Sequence, residues 1–501
     1  MGGGTAGWMS AAALAATLSP ALRHICLVES EQIGTVGVGE STIPHIRYFN
    51  RRIGLDEREL MAQTQATFKL GIEFVDWARI GDSYIHAFGA FGTRIGGVAF
   101  HQHWLKRALQ GRALPLDFYS LPIRMARANK FALPADDPAS VLSAYGYAFQ
   151  FDAAHYAKYL RRFSERLGVE RIEGKVVGVR QRAEDGWIES LVMENGATIE
   201  GDLFIDCSGF RGLLIEQTLK TGYEEWTHWL PCDRAVAVPS EKVGPITPYT
   251  RATAREAGWQ WRIPLQHRTG NGYVYSSQFL SDDEAAERLL SRLDGRPLAE
   301  PRFLRFVAGR RRRAWNKNCV AIGLSSGFLE PLESTSIYLI QIGITTLIDY
   351  LTDCTFDPRV VEAYNRWIAM EYDRVRDFLI LHYHATERCD APIWEYCRHM
   401  AIPDTLAHRL ELFRHRGRHI TYKDGLFLEP SWLCVYFGQR VIPRAYDPLV
   451  DSFDDDEVDQ RMEAVRRQIE HAVARMPTHD EFLRAYCPAS TTEEQPRSVV
   501  P

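Results

Sequence analysis

The chain of 501 residues is 46% apolar and 25% charged, with a formal net charge of −5. This describes an ordinary globular protein with room for a substantial core and more than one region. So mild a charge offers no field for holding nucleic acid or an anionic membrane surface. Nine cysteines without a C-x-x-C pair argue against a disulfide framework and point to a reducing, cytoplasmic setting.

The chain opens on Gly2-Gly3-Gly4-Thr5-Ala6-Gly7, a G-x-G-x-x-G loop. In such a loop glycines allow the tight turn, the close approach of backbone to a pyrophosphate and the packing of the following helix. Gly2, Gly4, Thr5, Ala6 and Gly7 are therefore candidate cofactor contacts. The small-residue segment Ala11 to Leu18 reads as a helix packed tightly on a sheet, and His24 to Glu29 as a buried parallel strand. Glu29 falls where an acidic residue accepts from a ribose hydroxyl. Such a loop normally follows a strand, and only Met1 precedes it in this sequence. A central strand upstream of Met1 is the expectation, and its loss would leave neighbouring strands with unpaired backbone groups and weaken cofactor binding. Met9 to Leu22 resembles the apolar part of a signal peptide, but no Lys or Arg precedes it. No apolar run reaches the roughly 18 residues needed to span a bilayer.

From Leu55 to Trp77 the periodicity predicts helix, broken by the glycines of Gly89 to Gly97. Ala154 to Leu167 reads as an amphipathic helix, followed by strands around Arg171 to Val179, Trp187 to Met193 and Leu203 to Ile205. The basic run Arg310 to Arg313 leads straight into the apolar stretch Asn318 to Leu324, and without neighbouring basic clusters it makes a poor nucleic-acid patch. Beyond Ser334 the pattern turns helical: Ile337 to Leu351, Arg359 to His384, Thr405 to His415 and Val458 to Arg475. The predicted fold is mixed α/β, with an α/β body over 1–356, a helical cap over 357–487 and a disordered tail over 488–501.

Four further segments carry chemistry. Gly37-Val38-Gly39-Glu40-Ser41-Thr42-Ile43-Pro44 is a glycine-rich strap that lets backbone approach a ligand closely. Phe68-Lys69 sits in an apolar context where an ammonium is costly to bury. Trp259-Gln260-Trp261-Arg262-Ile263-Pro264 alternates two indoles. Gly323-Leu324-Ser325-Ser326-Gly327-Phe328-Leu329-Glu330-Pro331-Leu332-Glu333-Ser334-Thr335-Ser336 runs into a predicted helix, whose free amides favour anions. Read singly, these are a turn, a surface lysine, a strand with one aromatic face and a helix cap.

In this order, and with Asp202 to Arg211 between them, the segments resemble flavin-dependent halogenases of the tryptophan type, from Gly2 to about Tyr486. The resemblance implies an FAD-binding, Rossmann-like fold of the monooxygenase type. It also implies an enzyme that takes FADH₂ from a separate flavin reductase and, with O₂ and chloride or bromide, makes hypohalous acid to halogenate an electron-rich aromatic. By the same resemblance Lys69 and Glu333 are catalytic, and Gly37, Val38, Gly39, Glu40, Ser41, Gly323 and Leu332 join the opening loop around FAD. Thr335 and Ser336 hold halide, and Trp259 and Trp261 keep the organic substrate off the flavin. His86, Phe88, Trp432 and Leu433 line the indole pocket.

Two departures stand out. Ser336 occupies a position that is often Gly in the family. Trp432-Leu433 stand where tryptophan-specific members carry adjacent tyrosines, which weakens the polar grip on an amino acid and favours free indole or a larger indolic or phenolic substrate. His382, His384, Cys389, Cys397 and His399 match no compact zinc spacing and read as structural. The rival functions are an FAD-dependent aromatic hydroxylase and a catalytically silent FAD-binding protein. A homodimer is common in such families.

Overall fold

The computed structural model describes residues 1–32, 39–351, 355–420 and 425–487. Gly37 and Val38 of the strap, and the tail from 488 to 501, lie outside them.

The opening loop leads into helix Thr5–Thr17, buried from Gly7 to Ala15. Its many alanines let it sit close to helices Ala153–Arg166 and Ser336–Tyr350 at once, and burial along most of its length explains why it is not amphipathic. Strand Cys26–Glu29 pairs in parallel with Glu170–Glu173, and Phe204–Asp206 pairs in parallel with Cys319–Ala321. Met1 and Gly2 join these two sheets. The Met1 amino group donates to Ile205 O at 2.8 Å, Cys207 N to Met1 O at 2.9 Å, and Gly2 N to Val28 O at 2.8 Å. Where a preceding strand was expected, these two residues make the bridging bonds. The outcome is a Rossmann-like α/β body.

A second layer is a seven-stranded sheet in the order Arg302–Arg305, Arg234–Ser240, Thr269–Tyr275, Gly258–Pro264, Thr250–Arg255, Gly71–Val75, Ser83–Ala87. Its strands run antiparallel except where Thr250–Arg255 meets Gly71–Val75. Beside it, Ala148–Asp152 pairs with both Gly39–Ser41 and Thr67–Lys69.

The helix expected over Leu55 to Trp77 is corrected here. Only Glu57–Gln63 is helical; Gln65 turns with φ 56°, and strands Thr67–Lys69 and Gly71–Val75 follow. Thr67, Phe68 and Lys69 are all buried, as are Gly71 to Phe74. Strands enclosed on both faces lose the polar alternation that would have revealed them. Gly71 is required by this packing, because a Cβ there would collide with the His86 carbonyl oxygen. The register Ile72↔His86 then brings the backbone after Lys69 alongside His86.

After Asp357 every named element is helical, beginning with Pro358–His384, whose start is set by Pro358 and by the Asp357 carboxylate accepting from Arg359 N. The basic run is spent internally: Arg310 pairs with Glu224 and Asp373, Arg311 with Glu216, and Arg313 with Glu362. Among the described residues no helix is long and apolar enough to cross a membrane.

Gly71→Ala should cost about 1–3 kcal/mol through overpacking and lower the thermal midpoint. Gly178→Ala, whose Cβ would meet Val192 only at an ordinary 3.5 Å, should leave it unchanged; equal midpoints for both variants would contradict this account.

Candidate active site

A cavity of about 840 Å³ opens between the body and the seven-stranded sheet. Gly2, Gly4, Thr5 and Ala6 form one wall with Glu29. A Cβ on Gly3 would collide with the Glu29 carboxylate, and one on Gly7 with Gly2 O, so backbone and acid come as close as the glycines permit. Helix Thr5–Thr17 has no side-chain cap, leaving its first amides free for an anion. Arg171 holds Glu29 at 2.5 Å. Gly39, Glu40 and Ser41 line the cavity further along, and burial raises the Glu40 carboxyl to about 7.

Gly323 and Leu332 line the same cavity, as do Trp259 and Trp261. The two indoles are buried, with centroids 6.2 Å apart. Gly272 on the next strand makes room for Trp261, whose ring a Cβ there would strike. Ser334 adopts a left-handed conformation with φ 59°, and helix Ser336–Tyr350 starts just beyond it without a side-chain cap. Ser336 lines the cavity; Thr335 is buried and its hydroxyl has no hydrogen-bond partner.

Lys69 lies behind this wall, fully buried. Its Nζ donates to Thr42 O at 2.9 Å and to Ser334 Oγ at 2.8 Å, and stands 5.4 Å from the Phe88 ring centroid. Ser334 also lines the cavity. Burial lowers the Lys69 amine to about 7, with the nearby Glu333 charge working in the opposite sense.

Glu333, also buried, meets His86 Nδ1 at 2.8 Å and His382 Nε2 at 2.7 Å. Burial alone would raise its carboxyl, but the two imidazoles outweigh it and hold the group at about 2. It is therefore a carboxylate. Glu330, three residues earlier, has no such partners, and burial raises it to about 7.

Around His86 is an aromatic cluster. Phe378 stacks on Phe427 at 3.9 Å and meets Trp432 edge-on at 5.0 Å, while His86 lies 5.6 Å from Phe378. Trp432 and Leu433 are both buried on helix Glu429–Gly438, which packs on strand Ser83–Ala87. The Trp432 Nε1 is occupied by Phe427 O at 3.1 Å.

Four neighbours of this centre were missing from the candidates: Thr42, Ser334, Phe378 and His382. Thr42 and Ser334 lay inside motifs already marked. His382 had been grouped with structural histidines and cysteines, and nothing in its local pattern ties it to Glu333.

A cavity with a dinucleotide-type glycine loop, ending at a serine bonded to a buried amine, defines an α/β protein of Rossmann-like fold with a dinucleotide-type site. Comparison with known proteins makes this specific. The tryptophan halogenase family profile matches residues 1–455. The chain is 36% identical to the 7-chloro-L-tryptophan 6-halogenase KtzR of Kutzneria sp. (strain 744), over 96% of this chain and 98% of that one. Its fold matches Xcc4156, a flavin-dependent halogenase from Xanthomonas campestris, with TM-score 0.94 and 50% identity over 98% of both chains. It also matches BrvH, a flavin-dependent halogenase from Brevundimonas sp. BAL3, with TM-score 0.94 and 47% identity over 97% of this chain and 98% of that one. The protein belongs to the tryptophan halogenase family and is a halogenase.

The buried amine has a measurable consequence. Its folded value of about 7 lies below the ordinary 10.5, so between those values the unfolded chain holds a proton that the folded chain does not. Stability then rises with pH from about 7 towards 10. Lys69→Met should be more stable than the parent at pH 7, and its advantage should narrow towards pH 10; parallel curves of unfolding free energy against pH would refute the burial of this amine.

Proposed function

We propose that the protein uses reduced FAD, O₂ and chloride or bromide to halogenate an electron-rich, indole-type aromatic, with Lys69 and Glu333 as the catalytic pair. The observation that carries this reading is the buried Lys69 amine, bonded to a serine on the cavity wall. The cavity suits FAD. Its glycines admit a pyrophosphate, the uncapped helix start favours that anion, and Glu29 is an acceptor for a ribose hydroxyl. Bound reduced FAD, replenished by a separate reductase, would supply the two electrons with which O₂ oxidises halide to hypohalous acid.

The chain's own residues do the rest. Backbone amides at Thr335 and Ser336, at an uncapped helix start, hold the halide. Trp259 and Trp261 wall the arene from the flavin. Ser334 marks the passage towards Lys69, whose amine receives and orients the oxidised halogen. The ring attacks halogen, forming the carbon–halogen bond as the halogen–oxygen bond breaks; the oxygen departs as hydroxide and becomes water with the proton that the ring then gives up through Glu333. Glu333, held as a carboxylate, stabilises the cationic ring and takes its proton. His86 and Phe88 flank the ring, and residues 357–487 act as the substrate-side cap, contributing Phe378 and Trp432.

Neither Trp432 nor Leu433 offers a free polar group, since the indole N–H of Trp432 is already bonded. This supports free indole, or a larger indolic or phenolic compound, over free L-tryptophan.

Incubation with FAD, a flavin reductase, NADH, bromide and indole, followed by mass spectrometry, should give bromoindole. Lys69→Ala should lower its formation at least about 100-fold while NADH-driven oxygen consumption continues. An oxygenated product without bromine would establish a hydroxylase instead. Bromoindole formed by Lys69→Ala at the parent rate would remove the lysine from the mechanism.

A further inference from the structure

Three side chains with metal-binding atoms converge at the start of strand Cys26–Glu29, the end away from the cavity that Glu29 lines. Sheet register places them. Cys26 pairs with Glu170 on the neighbouring parallel strand, so their side chains stand on one face, and His24, two residues earlier, adds a third to it. The chain on either side of His24 is pinned. Arg23 donates to Leu18 O at 2.9 Å and to Ala15 O at 2.6 Å, and Glu170 N donates to Ile25 O at 2.9 Å.

The three donor atoms have the spacing of a coordination sphere. Glu170 Oε2 lies 3.0 Å from His24 Nε2 and 3.3 Å from Cys26 Sγ, and that sulfur is 3.9 Å from the same His24 nitrogen. Zinc bonds of ~2.0–2.3 Å to nitrogen, oxygen and sulfur set tetrahedral neighbours roughly 3.3–3.6 Å apart. An ion at those bond lengths from all three atoms stands just off their plane, with the fourth corner of the tetrahedron open. The His24 and Glu170 side chains are 74% and 53% exposed, so water can fill that corner.

Hydrogen bonding to the one carboxylate oxygen accounts for two sides of this triangle; the donor set selects the ion. Calcium and magnesium take oxygen ligands, whereas thiolate and imidazole together suit zinc. Among the described residues this is the one group of three or more such side chains whose donor atoms converge in this way.

We propose that His24, Cys26 and Glu170 bind Zn²⁺, with water as fourth ligand, and form a clasp between the two strands. On binding, the ion takes the place of the Cys26 thiol proton, which leaves to solvent; sulfur, imidazole nitrogen and carboxylate oxygen each donate an electron pair to it. No redox change occurs. With three protein ligands the clasp is weaker than a closed four-ligand site, and so reversible. It ties Cys26–Glu29 to Glu170–Glu173 at one end of the pair, while Arg171 holds Glu29 at 2.5 Å at the other. Zinc thereby steadies the strand that carries Glu29 to the cavity wall. This site goes beyond the halogenase reading and does not depend on it.

Co²⁺ is the probe, because a thiolate on tetrahedral cobalt gives a near-ultraviolet charge-transfer band and visible bands that zinc lacks. The metal-free, full-length protein titrated with Co²⁺ should develop both at one ion per chain, and lose them when Zn²⁺ is added. Cys26→Ser should abolish the charge-transfer band. His24→Ala and Glu170→Gln should each weaken binding at least about tenfold, since losing a direct ligand costs no less than losing an outer-shell partner. Cys389→Ser, which removes an exposed cysteine elsewhere, should change nothing. Zn²⁺ should raise the thermal midpoint of the parent but not that of Cys26→Ser. A parent without the charge-transfer band, a band that survives Cys26→Ser, or equal midpoint shifts in the two proteins overturns the proposal.

Discussion

An amine taken out of water is the constraint around which this molecule is arranged. A lysine ammonium loses strong hydration on burial, and several kcal/mol per ion is the ordinary scale of that penalty. Lys69 nevertheless lies in a strand with no exposed face, between Thr42 and Ser334. The fold accommodates it by making the uncharged form accessible, and that same form is a nucleophile. A buried amine with so lowered a pKa is the kind of perturbed group that clusters at functional sites.

Ser334 shows a similar exchange. It is a non-glycine residue in left-handed backbone, a conformation worth about 1–3 kcal/mol of strain, and its hydroxyl accepts from Lys69. The turn lets one short segment do three things. Glu333 faces the two histidines, Ser334 touches the amine, and Thr335 and Ser336 open a helix without a side-chain cap.

Buried acids around this centre obey different electrostatics. Glu40 and Glu330 are carboxyls raised to about 7 by burial, whereas Glu333 is held at about 2 by its histidines. Among these three buried acids, Glu333 is the one with two imidazoles beside it. The acid beside His86, at the aromatic cluster, is the one kept ionised.

How much of this could be read from the residues depends on the range of the interaction that fixes each feature. The glycine loop, the helix behind it, the strand ending at Glu29 and the late helices are set by local rules of turn geometry, periodicity and capping, and their positions were legible. The family motifs were legible for the same reason, since each is a short contiguous string. The strands Thr67–Lys69 and Gly71–Val75 were not, because burial on both faces erases alternation and leaves an apolar run that resembles a helix. The burial of Lys69, the reach of Ser334 across the cavity wall and the pairing of His382 with Glu333 were decided only by tertiary structure. These partners lie far apart along the chain and meet through sheet register and the return of the long helix Pro358–His384 over the body. Local sequence spacing does not encode such distances; closure of the whole chain around one core does.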